Sequence, residues 1–271
     1  MKKIALAAAA VSILFAGAAS AADMAPRYAK APPPVIVPVF SWSGWYIGLN
    51  AGGVWDRSRV DYTQTGAYLL ATPAADLAFA HGLGSPSSNR SGFTGGGQAG
   101  YNWQAGIGLF GIETDINYLH TSANVFAIGV LPVGGATVSS TSSVSTDWLY
   151  TLRGRAGITS GPALFYVTGG LAVGNEKFSQ TFFHFASGSF ETGAVNSTRA
   201  GWTVGAGAEY LFTNNWSVKA EYLYVDLGSV SFNSANNLFP TFTASHSARL
   251  TENIGRVGVN YHFGGPVVAR Y

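Results

Sequence analysis

The sequence predicts an all-β chain, an eight-stranded antiparallel up-and-down transmembrane β-barrel, on three observations. Segments of about ten or more residues alternate apolar with polar or small side chains, and aromatic residues recur ten positions apart. The connections between segments alternate strictly between short and long. Composition agrees: 10% of residues are charged and 14% aromatic, against about 25% charged in a typical soluble domain.

The chain opens with Lys2 and Lys3, an apolar run from Ile4 to Gly17 and the small-x-small pattern Ala19-Ser20-Ala21. This is the three-part pattern of a secretory signal peptide over residues 1–21, and the run is too short for a spanning helix, which needs about 20 residues. Without it the fifteen Lys and Arg lose Lys2 and Lys3, leaving thirteen against thirteen acidic residues and a net charge of zero. Bulk charge therefore does not suit a nucleic-acid or other polyanion partner. Residues 22–40 hold Pro26, Pro32, Pro33, Pro34 and Pro38, a density that favours an extended periplasmic leader. The barrel is expected over residues 41–271. With no cysteine, disulfides, thiolate metal sites and cysteine nucleophiles are excluded.

Trp45, Ile47, Leu49, Ala51, Gly53 and Trp55 point one way; Tyr46, Gly48, Asn50, Gly52 and Val54 point the other. Ten residues at a rise of about 3.3 Å, tilted by about 40°, cover about 25 Å, the height of an outer-membrane apolar band. Trp202 to Phe212 repeats the spacing, with Val204, Ala206, Ala208 and Tyr210 on the same face. Eight segments follow, at about 43–56, 92–104, 107–120, 145–158, 163–175, 199–212, 216–228 and 250–263. Short turns fall at 105–106, 159–162 and 213–215, and long connections at 57–91, 121–144, 176–198 and 229–249. The long ones are rich in Ser, Thr, Gly, Ala and Asn and are expected to be mobile external loops holding little that packs. Trp45, Trp55, Trp103, Trp148, Trp202, Phe212, Trp216 and Phe263 are expected in the aromatic girdles at the two membrane interfaces.

Charges within the segments fall mainly on the face opposite the apolar one. Glu113, Asp115, Arg153, Arg155, Glu209, Lys219, Glu221 and Arg256 are expected to point inward as a lumen charge network. Folding segments three and four together puts Glu113 at the depth of Arg153. Folding six and seven about Thr213 to Asn215 puts Glu209 opposite Lys219 as an ion pair. An eight-stranded barrel has an interior only wide enough for side chains, and buried charges need partners, so a structural network is expected over an ion path. A charged lumen inside an apolar exterior is the inverse of a soluble lipocalin-like barrel.

Catalytic and cofactor signals are weak. GGGQAG at 95–100 matches the dinucleotide fingerprint, but a strand continues after it where a helix amino terminus is required. Three of the five histidines, His81, His184 and His246, fall in the long connections, with His120 at a strand top and His262 near the opposite end. No His-Ser-acid cluster follows from that spacing, metal-ligand spacing is lacking, and no cofactor is implied. Asn196-Ser197-Thr198 matches a glycosylation sequon that a bacterial envelope would leave unused.

The segments FSWSGWYIGLNAGG (Phe40 to Gly53), FGIETDINY (Phe110 to Tyr118), TLRGRAGI (Thr151 to Ile158), YVTGGLAVG (Tyr166 to Gly174), GWTVGAGAEY (Gly201 to Tyr210), WSVKAEYLYVDLG (Trp216 to Gly228) and RVGVNYHFGGPVVARY (Arg256 to Tyr271) cover nearly all the expected wall. Together they resemble the small outer-membrane β-barrel proteins of rhizobia, brucellae and related α-proteobacteria, often labelled porin-family or outer-membrane immunogenic proteins. The resemblance implies a non-enzymatic surface antigen of the Gram-negative outer membrane that supports envelope integrity and surface contact. Outer-membrane lipid and lipopolysaccharide, the barrel-assembly machinery and host or environmental surface ligands are the partners it implies. The strand ending at Phe263, with Tyr261 and Val259 on one face, is similar to the aromatic signal read by that machinery, although GGPVVARY follows it. A narrow diffusion pore and a rim enzyme acting on lipid are the alternative functions.

Overall fold

The computed structural model describes residues 41–263; the expected signal peptide, the leader and the segment after Phe263 lie outside them. The strands are β1 (Gly44–Gly66), β2 (Ser87–Ala105), β3 (Gly108–Val130), β4 (Thr137–Ser160), β5 (Ala163–His184), β6 (Ser189–Leu211), β7 (Trp216–Ala235) and β8 (Phe242–His262). Each pairs antiparallel with its neighbour, and β1 pairs with β8 to close an eight-stranded barrel, as expected.

Period-two patterning decides which face each residue takes. Outward side chains such as Leu49 (73% exposed) and Phe110 (65%) are greasy, while inward Asn50, Gln98, Glu113 and Arg153 are buried. That inversion is stable only where lipid wets the outside. At the short-turn end, Ala105 pairs with Gly108 and Ser160 with Ala163. Gly106 and Gly161, both at positive φ, open these two-residue turns, a conformation that glycine adopts without strain.

At the other end the structure corrects the sequence reading. The expected mobile loops are mostly strand: β1 runs on from Trp55 to Gly66, β3 to Val130, β5 to His184, and β7 to Ala235. Their Ser- and Thr-rich composition reads as loop, but the alternation persists, and Val60, Tyr62, Val138, Val144, Phe178, Phe182 and Val230 are buried inside. Ser and Thr suffice on an outward face that lipid does not cover, although on β3 that face carries Phe126, Ile128 and Val130, all exposed. The remaining connections are 131–136, 185–188, 236–241 and the longer 67–86.

That longer connection carries α1 (Tyr68–Ala71) and α2 (Ala74–Gly84), which the sequence reading did not foresee. α2 sits in the barrel mouth, where Ala80 packs with Tyr62, Val138, Phe182 and Ala244. Asp76 accepts from the backbone N–H of Val133 (2.8 Å) and Gly134 (2.9 Å), tying the helix to the β3–β4 turn. Gln180 Nε2 donates to the Gly84 carbonyl at 2.6 Å. Gly84 lies against the Tyr62 ring, where a Cβ would collide.

Candidate functional site

The candidate site is the barrel interior, which the inward side chains fill in tiers. At the short-turn end Trp42 turns in ahead of β1 and packs with Leu109, Leu164, Tyr166 and Leu211. Its backbone N–H reaches Gln104 Oε1 at 2.8 Å, and its ring meets His262 edge-on at 5.5 Å.

Above it lie all eight charged residues named from the sequence, each buried. Arg153 donates to Glu113, to Asp115 at 2.7 Å and to Glu221 at 3.1 Å. Arg256 reaches Glu221 at 2.6 Å and Asp115 at 3.0 Å. Arg155 binds Glu209 at 2.9 Å and lies over the Tyr166 ring at 4.0 Å. Tyr46 donates to Glu113 (2.7 Å), and Tyr166 to Glu221 (3.0 Å). Four carboxylates face four cations, so each buried charge meets an opposite one.

Register and ion pairing diverge at one place. Glu113 stands opposite Arg153 and Glu209 opposite Lys219 on neighbouring strands. Yet Glu209 spends its hydrogen-bonding capacity on Arg155, Ser217 (2.5 Å) and Asn260 (2.6 Å), while Lys219 Nζ reaches Glu113 at 3.0 Å. The expected Glu209–Lys219 ion pair is thus replaced by contacts reaching past the adjacent strand. In a narrow lumen, long side chains from non-neighbouring strands meet at the axis.

Two further interior features went unread in the sequence. An apolar belt of Val54, Leu119, Leu149, Ala172, Leu223, Val225, Leu227 and Ile254 separates the charges from the projecting half. A second polar tier follows, where Arg90 pairs with Asp56 and Thr251 donates to Asp56 at 3.1 Å. Both oxygens of Glu176 and Oε2 of Glu252 are buried there without a hydrogen-bond partner among the described residues. Parity alone would have turned Val54 and Leu119 inward, but not revealed that they meet.

Ser217 Oγ lies 2.9 Å from His262 Nε2, and that nitrogen is 3.4 Å from Glu209, a juxtaposition sequence spacing did not disclose. It is not a triad: serine and carboxylate share one imidazole nitrogen, whereas a relay needs the acid on the other. Ser217 donates to Glu209, and Trp42 covers the ring. The histidines also depart from expectation, since His184 and His246 lie in strands and His81 in α2.

Of the aromatic residues expected at the interfaces, Trp45, Trp55, Trp103, Trp202, Phe212, Trp216 and Phe263 project outward and exposed. Trp148 is half-buried instead, because the β4–β5 register shifts between Thr146 and Leu149. Trp45 packs on Tyr101 (5.1 Å), and Trp216 and Phe263 on Tyr261 (5.1 and 5.2 Å), at the short-turn end. Trp55 and Trp202 meet Tyr222 (6.2 Å) and Tyr224 (5.5 Å) about ten residues higher.

Residues 6–263 match the family described as outer membrane protein beta-barrel domain. The 31 kDa outer-membrane immunogenic protein of Brucella melitensis is 35% identical over 265 residues, 97% of this chain and 100% of the relative. A 22 kDa outer membrane protein of Rhizobium leguminosarum is 29% identical over 84% of this chain and 81% of its own. The 25 kDa outer-membrane immunogenic protein of Brucella abortus is 26% identical, covering 92% of each chain. The chain belongs to the outer membrane protein β-barrel domain family and is a protein of the bacterial outer membrane.

Proposed function

We propose that this protein is a non-conducting structural barrel that reinforces the envelope and presents a surface to the cell's surroundings. The observation that carries this reading is the filled lumen: Trp42 below, the eight-residue charge network and the apolar belt within, and α2 above. An ion crossing it would have to displace buried, mutually paired charges, which typically costs several kcal/mol, about 3 to 5 for one broken pair. Outward apolar residues meet lipid and lipopolysaccharide, the aromatic strand end serves the assembly machinery, and the projecting strands meet surface ligands. The shared nitrogen at His262 gives no support to a rim enzyme.

Proteoliposomes test the reading. Vesicles carrying folded protein should show the same osmotic swelling in small sugars and amino acids as empty vesicles. Swelling that scales with the protein added would support the pore instead.

A further inference from the structure

At the outermost end, α1 and the connections at 185–188 and 236–241 surround a cup of about 250 Å³. Tyr68, Phe239, Phe242 and His184 supply its rings, with Ser189 and Asn236 deeper in. Phe242 stands edge-on to Tyr68 at 4.8 Å, Phe239 lies 6.0 Å from Phe242, and His184 stacks on Tyr68 at 6.1 Å. Phe239 is 51% exposed, a ring offered to solvent at the rim.

Behind the rings lies a charge. Glu191 is fully buried and accepts from the hydroxyls of Tyr68 and Tyr62 (2.6 Å) and from Asn236 Nδ2 (3.4 Å), with His184 Nε2 at 3.5 Å. Burial pushes its carboxyl up, but hydrogen bonds from His184, Tyr62 and Tyr68 outweigh burial and hold it below the ordinary range. No lysine or arginine lines the cup among the described residues. The field inside is therefore negative, and the ring faces add to it.

We propose that this cup binds a small alkylated ammonium group of the choline type. Aromatic faces around a desolvated cation are the usual means of holding such a group, and the buried carboxylate favours a cation while opposing phosphate or carboxylate ligands. The volume falls below the roughly 300 Å³ of the smallest pockets for drug-sized ligands, which suits a headgroup and not an oligosaccharide. The assignment goes beyond the closed-barrel reading and does not depend on it.

The test is calorimetric titration of the folded full chain with choline chloride, in a maltoside detergent free of choline, beside the uncharged isostere 3,3-dimethyl-1-butanol. Choline should bind saturably and the isostere at least about tenfold more weakly. Phe239→Ala, at an exposed ring that leaves the core intact, should weaken choline by about tenfold. Glu191→Gln should do likewise if its boiled and unboiled forms still migrate apart. Retention of phosphatidylcholine vesicles but not phosphatidylglycerol vesicles would identify a membrane headgroup as the source; choline binding without vesicle retention would identify a free amine. No saturable choline binding, equal binding of the isostere, or full affinity in Phe239→Ala would overturn the assignment.

Discussion

At the residue scale, the charges were legible because parity is strict. Glu113 and Asp115 alternate with Phe110, Ile112, Thr114 and Ile116, so all eight charged residues could be turned inward from the sequence. Their partners were legible only in part: register matches Glu113 with Arg153, which do pair, but it identifies only the neighbouring strand, while Arg155 and Lys219 reach further. Glu209→Ala should therefore couple more strongly to Arg155→Ala than to Lys219→Ala in double-mutant cycles of urea unfolding in micelles. Loss of Glu209 alone should cost about 3 to 5 kcal/mol, as for a buried charge left unpaired. Stronger coupling to Lys219 would restore the adjacent-strand pair. Glu176 predicts the opposite sign: burial pushes its carboxyl up to about 8 and its oxygens lack hydrogen-bond partners among the described residues, so near pH 7 folding must protonate it. Glu176→Gln should therefore leave stability unchanged or raise it by about 1 to 3 kcal/mol.

His246 adds a pH dependence on the projecting part of β8, seven residues beyond Asn253, the β8 partner of Trp55. It bonds Gln180 (2.9 Å) and Ser234 (2.7 Å) and stacks on Phe232, and burial pushes its pKa down to about 4. Above the ordinary value of about 6.5 the imidazole is neutral in both folded and unfolded chains and contributes no pH dependence. As pH falls from there towards about 4, the unfolded chain takes the proton first and stability is lost. His246→Gln should flatten that part of the unfolding-midpoint profile, and an unchanged slope would contradict the assignment.

At the element scale, strand number and order were readable, since ten-residue alternation between aromatic ends marks each crossing. Strand length was not, because beyond the lipid the outward face of most strands carries Ser and Thr, as in a loop, while Val60, Val144, Phe178 and Val230 keep only the inward half of the pattern. β3 departs from this, with Phe126, Ile128 and Val130 outward and exposed. α2 was hidden for a different reason. Pro73 stands at its N-cap without a side-chain cap, and the Ala- and Gly-rich AADLAFAHGLG lacks a clean apolar stripe because the face it buries carries only Asp76, Ala80 and Gly84, while Ala74, Ala75 and Ala78 are exposed on the other. Its position depends on Asp76. Asp76→Ala should loosen α2 and speed proteolysis within residues 67–86 while the barrel stays folded, because two backbone N–H groups lose their acceptor at about 1 to 3 kcal/mol. An unchanged cleavage rate would show that packing alone seats the helix.

At the scale of the whole molecule, two ends with different chemistry set its orientation. Short turns should face the periplasm and the long hairpins the exterior. Leu70→Cys (94% exposed) and Ala186→Cys should react with an impermeant thiol reagent on intact cells, and Asn214→Cys should not. The reverse pattern would invert the topology and place the aromatic cup inside. The central claim is that a filled interior makes this barrel a structural element. Planar-bilayer recording of the folded protein tests it most directly: the bilayer should stay electrically silent across the voltage range, and steady unitary channels, altered in selectivity by Lys219→Ala, would contradict it.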